Sequence, residues 1–187
     1  GQTLDVRNDA VGSSVEYRSS RVPEISLHNA FEFRDGTTAD LDQDVLVSVD
    51  TAALFVRSRA QFAAPSTRTI YTLFGLGIHD GSGSDDVDEA YVVHEHGYDF
   101  VVAHDSGRYL AIAQRRPATG QTTFDGCRVG RQGVPRGPEK SAWRDIYVEN
   151  DGVVDDNDHL RGKVDVGFGL FVDDATDVTW VTAVGFG

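Results

Sequence analysis

The chain has 187 residues, with 17 Lys and Arg against 30 Asp and Glu, and a formal net charge of −13. That length suits one domain whose core needs no covalent staple, and a single cysteine, Cys127, excludes an internal disulfide. No apolar run reaches the roughly 18 residues of a membrane-crossing helix, and a polyanion binder needs basic stripes, so nucleic acid and anionic membranes are excluded as partners.

Helix signals are almost absent, because no window keeps apolar residues at the three, four and seven spacing. Short runs rich in Val, Phe, Tyr, Ile and Thr alternate instead with Gly, Asp, Asn and Ser, the pattern of an all-β chain. Residues 14–22 read as a first strand. Residues 25–33 alternate plainly, with Ile25, Leu27, Phe31 and Phe33 on one face. Residues 45–49 alternate too, and 54–62 place Leu54, Val56, Ala60 and Phe62 together. Residues 69–76 are apolar on both faces.

Further strands are predicted at 90–94, 98–103 and 108–114, with a hairpin turning at Asp105-Ser106-Gly107. Weaker ones fall at 122–129 and 146–149. Residues 160–172 contain Gly162, Gly167 and Gly169, which suggest a bulge or bend. The last strand, 178–186 (VTWVTAVGF), is apolar on both alternating faces, as in a strand covered on both sides. About twelve strands require two packed sheets or a barrel. Residues 77–89, 130–140 and 149–159 read as loops. No linker or repeat divides the chain. The last strand runs to the chain end and no methionine occurs, so the 187 residues read as one domain cut from a longer protein.

The charges are themselves selective: 23 Asp to 7 Glu, and 15 Arg to only two lysines, Lys140 and Lys163. Such a surface suits multimolar salt, where the screening length shrinks to about 3 Å. At low salt the same carboxylates repel one another. The composition therefore predicts a source living in very high salt and a fold that loosens below roughly 1 M salt.

Several constellations of residues could carry chemistry. The Asp-rich loops lack the oxygen spacing of an EF-hand, and solvated acidic loops are the reading kept. His94-Glu95-His96 would put two imidazoles on one strand face if the strand continued that far, but a metal site would need a third ligand such as His79, His104 or Glu32. A His with a carboxylate could open a hemiacetal ring, and paired carboxylates could cleave a glycoside, yet no pair stands out among thirty acids. Trp143, Tyr147, Tyr91, Tyr98 and Tyr109 are candidates for stacking on a sugar, and Trp143 and Tyr147 are the two retained as sugar contacts. Cys127 reads as a small buried thiol. No catalytic, cofactor-binding or metal residue is assigned, and no cofactor is expected.

The later half carries a series of short motifs in order. They are Arg108-Tyr-Leu-Ala-Ile-Ala, the stretch 126–130, Ala142-Trp-Arg-Asp-Ile, Gly162-Lys-Val-Asp-Val, and the closing Trp180-Val-Thr-Ala-Val-Gly-Phe-Gly. Earlier, Tyr71-Thr-Leu-Phe and residues 23–33 fit the same series. Together they resemble the N-terminal domain of the glucoamylase and glucodextranase type of glycoside hydrolase family 15. Where that family has Pro-His-Leu this chain has Gly75-Leu-Gly-Ile-His79, and its Ser-Asp-Gly-Trp is replaced by a longer loop ending in Ser141-Ala-Trp143.

The resemblance implies an antiparallel two-sheet β-supersandwich of the galactose-mutarotase-like superfold, with about seventeen strands in the family. It implies a partner, the catalytic (α/α)6 barrel of the same parent chain, which holds the catalytic glutamates and acts by inversion on an α-glucan. With the composition it implies a haloarchaeal source. The domain itself is then a non-catalytic accessory piece with an apolar patch where the barrel sits. A free-standing carbohydrate-binding module, needing exposed aromatics in a row, and a mutarotase-like enzyme, needing a His and a carboxylate in a concave pocket, are the alternatives. The N-terminus lacks the basic and apolar regions of a signal peptide, which leaves the parent's location open, leaning to the cytoplasm.

Overall fold

The computed structural model describes residues 4, 6–19, 24–48, 50–76, 86–96, 98–115, 122–132, 141–144 and 158–187. The chain is all-β and antiparallel, with almost no helix. Ten strands occur among the described residues: β1 (Gly12–Ser19), β2 (Glu24–Glu32), β3 (Thr38–Ser48), β4 (Ala53–Leu76), β5 (Val87–Glu95), β6 (Tyr98–Asp105), β7 (Arg108–Arg115), β8 (Thr122–Arg131), β9 (His159–Gly162) and β10 (Val164–Phe186). Two helical turns accompany them, α1 (Val6–Asp9) and α2 (Ala142–Arg144).

The strand order is β1-β2-β3-β4-β10-β7-β6-β5-β9, with β8 added to β10. The two expected layers therefore belong to one hydrogen-bonded ladder. They share the long strands β4 and β10, which pair along almost their whole length. The first stretch of β10 pairs with β8 on its other side, from Val164↔Arg131 to Val172↔Thr122. Its last stretch pairs with β7, from Thr182↔Gln114 to Phe186↔Leu110. The sheet thus folds back on itself, and β5, β6, β7 and β9 lie across from the start of β10.

The expected break between 62 and 69 is a bend, not a turn. Between them β4 and β10 shift register twice, Arg68 opposite Val172, Ser66 opposite Ala175 and Gln61 opposite Asp177. Pro65, which has no N–H to give, sits in this irregular stretch, where a strand tolerates proline. Across from it Asp174 takes a left-handed φ of 48°. Both strands kink together, so the pairing resumes, and two predicted strands become one. The three glycines also divide. Gly162, φ 89°, marks the break between β9 and β10. Gly167 and Gly169 are ordinary ladder positions opposite Arg128 and Gly126, and the bulge lies where Leu170 next pairs with Phe124. The predicted strand 146–149 lies outside the described residues.

Alternation decides what is inside. Leu76, Val101, Ile112, Cys127, Val129, Val164, Val166 and Phe168 form the main core between the two layers, with Phe74 edge-on to Phe168 at 6.1 Å. A second cluster of Ala60, Leu170, Val172, Ala175, Val178 and Trp180 fills the bend. In the closing strand Val178, Trp180 and Val184 are buried, Val181 and Ala183 only half-buried, and Phe186 exposed. Its outward side is thus less covered than its composition predicts. Buried Thr182 donates to Gln114 Oε1 at 3.2 Å, while Gln114 Nε2 finds no partner among the described residues.

Candidate functional site

On β1 to β4 the side chains separate cleanly by face. Register puts Ile25, Val45 and Val56 in one row and Leu27, Gln43 and Ser58 in the next, all on the side that carries the core further along. The residues between them face outward: Ser26 and His28 on β2, Asp40, Asp42 and Asp44 on β3, Arg57 and Arg59 on β4. The ladder sets Asp44 opposite Arg57 and Asp42 opposite Arg59. Opposite charges in facing positions of neighbouring strands attract, so the strand pairing and the charge pattern reinforce each other.

Of these, Ser26, His28, Asp42, Asp44, Arg57 and Arg59 line a cleft of about 400 Å³ together with Ser14, Glu16 and Thr179, and Leu27 borders it with its side chain turned to the other face. Asp44 is its most buried carboxylate, 9% exposed. One of its oxygens accepts from Ser26 Oγ at 2.7 Å, and the other from Arg57 Nε at 3.1 Å and from the neighbouring guanidinium nitrogen. His28 Nδ1 lies 2.8 Å from Asp42 Oδ1, and its Nε2 lies 3.6 Å from Asp40. Arg59 Nε donates to both oxygens of Asp177, at 2.8 and 3.1 Å. That hydrogen bonding raises the pKa of Arg59 further. Every charged group named here is held by a partner, so the cleft presents oriented donors and acceptors instead of swinging side chains.

A second polar group decorates the outside of the other layer. Glu89 on β5 bridges His104 Nε2 at 3.2 Å and His159 Nε2 at 2.6 Å, and these hydrogen bonds pull its pKa below 4.5. The His104 ring also leans on Tyr109, 5.6 Å between centroids. A His beside a carboxylate, which the mutarotase-like alternative needs, therefore occurs at two places among the described residues, and of these the His28–Asp42 pair lies in the cleft.

The residues singled out from sequence scatter. Trp143 is on α2 with its side chain outside the description, and Tyr147 lies outside the described residues. α2 itself packs on the outer side of β10, where Asp165 Oδ1 accepts from the Ala142 N–H at 3.0 Å. Tyr91, Tyr98 and Tyr109 share the outward face of β5, β6 and β7. Counting along the ladder, Tyr91 sits two strands and two residues from Tyr109, about 12 Å apart at ordinary strand spacings, so they do not stand in a row. β5 ends at Glu95, and His96 takes a left-handed φ of 52° in the turn. The strand continuation that would align His94 with His96 is therefore not there. Among the described residues no group of three His, Cys, Asp or Glu is arranged to hold a metal ion.

Compared with models of known protein families and with curated protein sequences, the chain matches none. Asp42 and Asp44 lie ahead of the predicted strand 45–49, which in the structure already begins at Thr38, and the other cleft residues belong to strands whose sequence reading rests on the apolar side alone. The signal was present: Asp40-Leu-Asp-Gln-Asp44 and Arg57-Ser-Arg59 repeat charge with the period of two that puts like residues on one strand face.

Proposed function

We propose that this chain is a non-catalytic N-terminal accessory domain of a glucoamylase- or glucodextranase-like α-glucan hydrolase from a high-salt source. It packs on the helical catalytic barrel of the same parent chain and steadies it. The order of the short motifs supports this family, and one observation carries the docking role. The core-facing side of β1 to β4 runs on past the core as an apolar face that the described residues leave uncovered. On it Val15 is 62%, Tyr17 78% and Val47 43% exposed, beside half-buried Ile25, Leu27, Val45 and Val56. A face patterned for burial and left open marks an interaction surface, and a helical barrel is the partner that the family resemblance implies.

The test has two arms. The isolated chain, in concentrated KCl, is expected to release no glucose from maltoheptaose. In the parent enzyme, Val15→Asp with Tyr17→Asp is expected to lower the temperature at which hydrolysis is lost. Glucose release by the isolated chain, or a parent enzyme indifferent to both substitutions, overturns the proposal.

A further inference from the structure

The outward cleft has no part in that docking role, since it opens on the opposite face of the same strands. We infer that it binds a neutral polyhydroxylated ligand, an oligosaccharide, across β1, β2, β3, β4 and β10. The choice of an α-glucan as the first ligand rests on the function proposed above. The chemistry of the site does not.

The lining narrows the ligand by elimination. Glu16, Asp42 and Asp44 stand against Arg57 and Arg59, so carboxylates outnumber guanidinium groups by one in the lining, inside a chain of −13. Phosphate-bearing or acidic polymers are repelled from such a site. Leu27, the one apolar residue at the lining, turns its side chain to the opposite face of the sheet, so the cleft floor offers nothing for an acyl chain or an apolar peptide to bury against. No arrangement of three metal-ligating side chains exists there or elsewhere among the described residues. What remains is a surface of alternating planar acceptors and donors. Neighbouring sugar hydroxyls each donate and accept, so they suit carboxylates and guanidinium groups presented side by side.

Size and rigidity agree with that reading. About 400 Å³ lies within the usual range for small-ligand clefts. Five strands side by side span about 19 Å, longer than one hexose. The Ser26–Asp44–Arg57 and Arg59–Asp177 contacts fix the side chains before the ligand arrives, so little ordering entropy is left to lose on binding. On the same outward face Phe55, two residues before Arg57 on β4, is 39% exposed, giving an aromatic edge at the end of the row.

Calorimetric titration of the whole chain with maltoheptaose, in the KCl concentration where it melts highest, tests this. Saturable binding is expected. His28→Ala and Asp42→Asn, both at half-exposed positions, are each expected to weaken it about tenfold or more, a step of about 1.4 kcal/mol, with melting temperatures unchanged. Val15→Asp, on the other face, is expected to leave it intact. Titrations with isomalto-, cello- and xylo-oligosaccharides then rank the linkage. The inference fails if none of these sugars binds saturably, if the two cleft variants bind like the original chain, or if inorganic phosphate or calcium binds there in their place. Those failures leave the docking proposal standing, because it is read in Val15, Tyr17 and hydrolysis.

Discussion

Glu89 shows how one carboxylate joins three strands. It lies on β5, His104 on β6 and His159 on β9, and each imidazole takes a separate oxygen of the carboxylate. The hydrogen bond from His104, then that from His159, holds its pKa below the ordinary 4.5. Folding therefore favours the ionised form. The stability this adds is complete above pH 4.5 and is lost as the pH falls through the lower folded value. Glu89→Gln is accordingly expected to melt below the original chain at neutral pH and to lose less stability between about pH 5 and pH 3. Melting curves across that range decide it, and identical pH slopes for the two proteins would refute the role. Asp35 behaves alike at the β2–β3 turn, where the Thr37 hydroxyl and N–H, at 2.6 and 3.0 Å, and nearby Arg68 lower its pKa.

At the scale of elements, turns and bends set the pairings. The β6–β7 hairpin closes on Ser106 and Gly107 with φ of 49° and 81°, a two-residue turn whose positive angles match the twist of the strands. The sequence marked this turn correctly, because Asp-Ser-Gly between two apolar alternations has few other uses. A Cβ on Gly107 meets nothing within 4 Å, so Gly107→Ala isolates the backbone term. It is expected to cost about 1 kcal/mol in denaturant unfolding. Gly185, equally open but in the extended ladder opposite Ala53, is expected to accept Ala at no cost or with a slight gain. Equal losses at both positions would mean that the turn angle does not matter. The bend of β4 and β10 was less legible. Proline and the small residues around it at 63–67 (AAPST) signal a break in any one strand. Only the partner strand, bulging at the same level, shows that the ladder survives it.

For the whole molecule the dominant quantity is charge. Thirty acids stand against seventeen bases in the sequence, and among the described residues all the acids whose burial is known, except Asp44, Asp105 and Asp165, are exposed or half-buried. Their mutual repulsion falls as salt shortens the screening length from about 10 Å at 0.1 M to about 3 Å at 1 M. The melting temperature is therefore expected to rise steadily as KCl increases over that range and beyond. A midpoint that stays constant with salt would rule out the high-salt reading. The same layout explains why the two faces of β1 to β4 invite different roles. One face continues the core, is mostly apolar and is left uncovered by the described residues, and the other collects charges of both signs in register.

The sequence by itself determined that this chain is antiparallel β, where most of its strands lie and that the β6–β7 hairpin turns at Ser106-Gly107. These follow from alternation and turn chemistry, which act over a few residues. Tertiary structure alone decided that Asp44 meets Arg57, that His28 meets Asp42, and that Glu89 gathers two histidines. Each of those contacts depends on strand register across 13 to 70 positions of chain. A shift of one residue would turn every one of these side chains to the other face.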